Sequence, residues 1–122
     1  MQILRTYGKV NPRVIFSEIE DLIKRYGGTV DKDKTYKELM PGIDGGLRAS
    51  LVATFPVEVT KSRPIIGRCK RTVQKEALNA RILGEANGET KLMIFIDEES
   101  IPAGKAKAME ADLDFIIKSY EK

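Results

Sequence analysis

Between Lys61 and Lys75 the chain carries six cations, Lys61, Arg63, Arg68, Lys70, Arg71 and Lys75, and no acid. Lysine and arginine at this density attract phosphates, whose screening counterions they release. If Ile65 to Val73 is a strand, Arg68 and Lys70 share one face and Arg71 points to the other, because strand side chains alternate. The segment has no aromatic residue on which a base would stack. Its chemistry is that of a basic patch for nucleic acid or an acidic partner. The same residues also suit a solvated or oligomer-facing strand.

The acids offer a second chemistry. Asp97-Glu98-Glu99 form a run, with Asp44 and Glu58 elsewhere, and carboxylates gathered at strand ends can hold Mg²⁺. The PD-(D/E)xK nucleases use an acid followed by acid-x-lysine on neighbouring strands. Here Asp44 precedes Glu58-Val59-Thr60-Lys61, one residue too long. On a strand that slip puts Glu58 and Lys61 on opposite faces. Asp97 to Glu99 fit better as negative charge entering a helix N-terminus. The loop Met40-Pro41-Gly42-Ile43-Asp44-Gly45-Gly46 has glycines whose N–H groups can cradle an anion, but neither a Walker lysine nor GxGxxG.

Other chemistries are excluded by composition. With no histidine there is no Ser-His-Asp or Cys-His catalysis, no histidine metal site and no histidine pH switch. The lone Cys69 cannot form an internal disulfide, and one cysteine without histidine makes zinc a poor expectation. Arg68, Lys70 and Arg71 would lower the Cys69 thiol pKa if it were exposed, but no partner base is visible. No catalytic residue, metal or cofactor is expected. A net charge of +3 does not by itself imply nucleic acid.

The elements that must position these residues are read from periodicity. Met1 to Val10 predicts a short strand ending near Gly8. Asn11-Pro12 starts a helix: asparagine caps it, and proline suits the first turn, where its missing N–H goes unused. Ile15, Ile19, Leu22, Ile23 and Tyr26 share one helical face, and Gly27-Gly28 ends the helix. Val30 and Tyr36 fit a short strand broken by the polar run 31–34. Leu47 to Val59 alternates as a long strand, in which Pro56 marks an edge or a bulge. Residues 65–77 are ambiguous between helix and strand, with a strand expected from about Glu76. The runs 80–86 and 90–96 flank Asn87-Gly88, the pair that best tolerates a type I′ hairpin turn. Met109, Leu113, Ile116, Ile117 and Tyr120 then repeat the spacing of the first helix, on a helix starting between Pro102 and Lys105.

The fold expected is a single α+β domain over 1–122: a mostly antiparallel sheet with an N-terminal and a C-terminal amphipathic helix packed on one face. No apolar run is long enough to span a membrane and the N-terminus lacks a signal-like stretch, so a cytoplasmic location is expected. A sheet curved over the last helix can leave an apolar space. Phe55, Met93, Phe95, Met109, Leu113, Phe115 and Ile116 are large enough to line it, and they are also what a plain core would use.

The order of elements, with Val10-Asn11-Pro12-Arg13-Val14-Ile15-Phe16 entering a helix, then Leu39-Met40-Pro41-Gly42-Ile43, then strands and a long last helix, resembles the START/Bet v 1-like helix-grip (SRPBCC) proteins. That resemblance implies a curved antiparallel sheet gripping the C-terminal helix around an apolar ligand. The leading expectation is therefore a domain that binds an apolar small molecule between sheet and C-terminal helix. The alternative is a homo-oligomeric adaptor that holds nucleic acid or an acidic partner through 61–75. A Mg²⁺-dependent nuclease is third.

Overall fold

Asn11 and Pro12 start the first helix as their chemistry requires. The Asn11 side chain accepts a hydrogen bond from the Arg13 amide at 2.9 Å, and α1 runs Pro12–Arg25. It ends in a Schellman motif. The Gly28 amide donates to the Ile23 carbonyl and the Gly27 amide to the Lys24 carbonyl, with Gly27 at φ +87°, where any side chain would be strained. Gly28 is needed for a different reason. A Cβ there would lie 2.6 Å from the Phe55 ring, so the absent side chain lets the chain leave the helix tight against the core.

The computed structural model describes residues 1–8, 10–39, 47–63, 67–84 and 88–120, and the side chains of these apart from 39, 59–63 and 67–70. The strands are β1 (Gln2–Tyr7), β2 (Thr29–Val30), β3 (Tyr36–Leu39), β4 (Leu47–Arg63), β5 (Gly67–Gly84) and β6 (Thr90–Ile96); α2 (Ala103–Lys118) follows. They form one antiparallel sheet in the order β1-β6-β5-β4-β2, with β3 also paired to β4, and the sheet is not closed. The first and last strands are thus neighbours, tied further by the Met1 amino group on the Ile96 carbonyl and the Ile96 amide on the Met1 carbonyl, both at 2.8 Å.

One face of the sheet is core. Ile3, Ile94, Ile96, Ala80, Ile82, Leu51, Ala53 and Phe55 alternate inward along their strands and join the apolar stripes of both helices in a single buried cluster. The α+β fold, with an antiparallel sheet and two helices on one side, is as expected. Two strands are longer than their residues suggested. β4 continues past Val59 to Arg63, and β5 occupies 67–84 where a strand was expected only from Glu76. The helix-favouring run 72–80 yields to pairing along all of β4, a case of tertiary context overriding propensity. The register shifts by one residue at Ala53/Thr54, opposite Ala77, two residues before Pro56. Beyond that bulge the two strands leave the sheet body as a two-stranded arm, so Pro56, which has no N–H to donate, lies past the last pairing with β2. Of the Asn-Gly turn, Gly88 has φ +87° as expected, and Asn87 lies outside the described residues.

Candidate functional site

The outward face of the sheet is where apolar side chains and cations meet. Antiparallel register carries one row across five strands: Tyr36, Ser50, Arg81, Met93 and Leu4. The adjacent row is Glu38, Arg48, Leu83, Lys91 and Thr6. Between them lies an open groove of about 550 Å³, lined by Leu4, Met93, Leu83 and Tyr36 together with Arg48, Arg81 and Lys91. Leu4 is 61% and Tyr36 49% exposed, and Phe95, one row further on, is 58% exposed. A solvated sheet face ordinarily presents polar alternates, so this apolar strip lacks a cover among the described residues. Beside Phe95 stands Asn79, whose buried Oδ1 meets no donor among the described residues.

The inward face fixes β1, which forms one wall of the groove. Arg5 lies between Ile3 and Tyr7 on the core side and reaches α2: its Nε is 3.2 Å from Asp114 Oδ1, and its Nη2 is 2.7 Å from Glu110 Oε1. The Tyr7 hydroxyl donates to Asp114 Oδ1 at 2.9 Å. Partial burial pushes the Asp114 carboxyl up. The hydrogen bonds from Arg5 and Tyr7 and the Arg5 charge outweigh that and hold it below its ordinary value. Tyr26 donates to Asp112 and Tyr120 to Glu18, so α1 and α2 are also laced together. A second cleft of about 540 Å³ lies between α1 and the β2–β3 edge, with Lys24, Lys32 and Lys37 on its rim and the Lys37 ammonium 4.6 Å above the Phe16 ring.

The residues predicted to line a space under the last helix do not meet in one place. Phe55, Met109 and Leu113 are core, at most 2% exposed, and Ile116 is half-buried on α2. Phe115 is 81% exposed. Met93 and Phe95 alternate to the opposite face of the sheet, because Leu92, Ile94 and Ile96 take the inward positions of β6. In the basic segment, Lys61, Arg63, Arg68 and Lys70 have their backbone in the arm, while their side chains lie outside the described residues. Arg71 and Lys75 are exposed there. Cys69 is undescribed beyond its backbone, and Asp44 and the glycine loop lie outside the described residues. Glu58 is exposed on the arm.

Asp97 to Glu99 do not enter α2. Asp97 caps its own turn, accepting from the Glu99 amide and the Ser100 hydroxyl, and α2 begins after Pro102 with no acid in its first turn. Among the described residues there is no cluster of three potential metal ligands, and no helix is long and apolar enough to cross a membrane. Leu4, Tyr36, Arg48, Arg81, Leu83 and Lys91 are groove residues that sequence reasoning passed over. One signal for them existed: β6 is apolar at both alternations, more than a sheet covered on one side requires. Comparison with known protein families, with curated proteins and with solved structures returns no match.

Proposed function

We propose that the chain is a small-molecule binding domain and that its ligand, an aliphatic chain ending in an anion, lies on the outward face of the sheet. The observation that carries this reading is the groove itself: an apolar strip of Leu4, Met93, Leu83 and Tyr36 beside the cations Arg48 and Arg81. Its volume is within the range of small-molecule sites. A second copy packed on the same face is the competing cover. It would bring Arg48 and Arg81 of two molecules together, and like charges buried together cost several kcal/mol. An amphipathic anion satisfies both the apolar strip and the charge.

The likeness to helix-grip proteins remains part of the proposal. The adjacency of first and last strands and the long closing helix support it. The ligand position it implies does not suit this chain, since Phe55, Met109 and Leu113 already fill the space between sheet and helix as core.

The test is thermal unfolding with sodium dodecanoate below its micelle concentration. At a ligand concentration of 100 times Kd, binding to the folded state adds about 2.7 kcal/mol, close to a 10 °C rise in Tm for a chain of this size. Met93→Glu places an acid in the strip and should abolish the rise while leaving the unliganded Tm within about 2 °C, since a half-exposed position carries little core energy. Dodecanol binding as well as dodecanoate would remove the role of the cations. Neither ligand shifting Tm would remove the site.

A further inference from the structure

The arm carries a second binding surface. Past the bulge, β4 and β5 pair only with each other among the described residues, from Phe55↔Lys75 to Arg63↔Gly67. At about 3.3 Å per residue the ribbon extends roughly 25 Å from the sheet body. Two strands without a supporting layer are marginal in water, so an arm of this length calls for something to lie against. Its charge says what. Between Val57 and Lys75 there are six cations and one acid, a net +5 on a chain whose total is +3. The register spaces them evenly. Val59↔Arg71, Thr60↔Lys70, Lys61↔Cys69, Ser62↔Arg68 and Arg63↔Gly67 each contain one cation. That is one positive charge per roughly 3.3 Å of ribbon, shared by strand alternation between its two faces.

We infer that this ribbon binds duplex DNA, through its phosphates and without reading sequence. Three features select this polyanion. The major groove of B-form DNA is about 12 Å wide and admits a two-stranded ribbon, whereas the deep, narrow major groove of A-form RNA does not. The arm has no Phe, Tyr or Trp between Val57 and Lys75, which removes the stacking platform that single strands require. Pairing of arms between two copies would set one net +5 ribbon against another, so self-association is the poorer match.

The experiment is fluorescence anisotropy of the full chain with a mixed-sequence 20-base-pair duplex, between 50 and 200 mM salt. Five phosphate contacts predict a slope of log K against log salt near −4.5, a loss of about 500-fold over that range. Replacing Arg68, Lys70 and Arg71 together by Ala leaves two contacts, a slope near −1.8 and a loss of only about 12-fold. Arg68→Lys with Arg71→Lys keeps the charge and should keep the wild-type slope, which separates lost charge from a misfolded arm. Tighter binding to single-stranded DNA or to duplex RNA of equal length would overturn the inference. So would no duplex binding at 50 mM salt, a slope the triple variant does not change, or a dimer that the triple variant abolishes.

Discussion

Asp114 holds the edge strand β1 to α2, and its removal is the perturbation most directly worked from geometry. Its carboxylate takes Arg5 Nε at 3.2 Å, Arg5 Nη2 at 3.3 Å and the Tyr7 hydroxyl at 2.9 Å. Hydrogen bonds to a charged group contribute about 1.5–3 kcal/mol when shielded. The Arg5 side chain is 36% exposed and keeps Glu110, so its share is discounted to about 1 kcal/mol. The Tyr7 bond is better shielded and adds about 1–1.5 kcal/mol. Asp114→Ala should therefore cost about 2–2.5 kcal/mol, or roughly 9 °C in Tm. Asp114→Asn keeps an acceptor for Tyr7 and should cost about 1 kcal/mol. The pH dependence has a definite sign. Asp114 in the folded chain sits below its ordinary 3.8, so its contribution is present in full above that value and is lost as pH falls through the depressed one. Urea unfolding of wild type and Asp114→Asn should thus differ at pH 7 and converge as pH falls below 3.8. No difference at pH 7 would refute the clamp. A difference that does not shrink as pH falls below 3.8 would show that shape, not charge, sets its strength.

The remaining predictions concern the ends of α1. Gly28→Ala sets a Cβ 2.6 Å from Phe55 and 2.8 Å from Ile23, both fully buried, and should cost about 1–3 kcal/mol by overpacking. An unchanged urea midpoint would mean that the β2 entry shifts freely. Asn11→Ala removes the acceptor of the Arg13 amide and should cost about 1 kcal/mol. Asn11→Asp keeps the acceptor and adds a charge that favours a helix N-terminus, so its Tm should equal or exceed that of wild type at pH 7.

How much of this could be read in the residues depends on whether a local rule decided the outcome. Asn11-Pro12 and Gly27-Gly28 act within one turn, and α1 begins and ends where they predict. The alternation at 47–55 likewise gave a strand and its inward set, because a core face must be continuously apolar; at 90–96 it gave the strand but not its inward face. The arm was not readable. Residues 67–75 have no apolar alternation of their own, and only pairing with β4 makes them a strand. The Arg5–Asp114–Tyr7 clamp joins residues more than 100 positions apart. Its one local trace was a charge at an inward position between Ile3 and Tyr7.

The groove shows why periodicity alone misplaces a site in such a sheet. Alternation says that Met93 and Phe95 share a face; it does not say which face the helices take. In β6 both sets are apolar, so the neighbours decide. Leu92, Ile94 and Ile96 fall in register with Ile82, Ala80 and Leu78, which leaves Met93 beside Arg81 and Leu4. A covered Met93 would have carried Arg81 and Ser50 into the core with it, an unpaired buried charge costing far more than an exposed thioether. The cations that forbid helix packing on that face are the same ones that make it suitable for an anion. Arg48 and Arg81 therefore have two consequences from one placement: they orient the sheet on its helices, and they leave the apolar strip beside them open to a ligand.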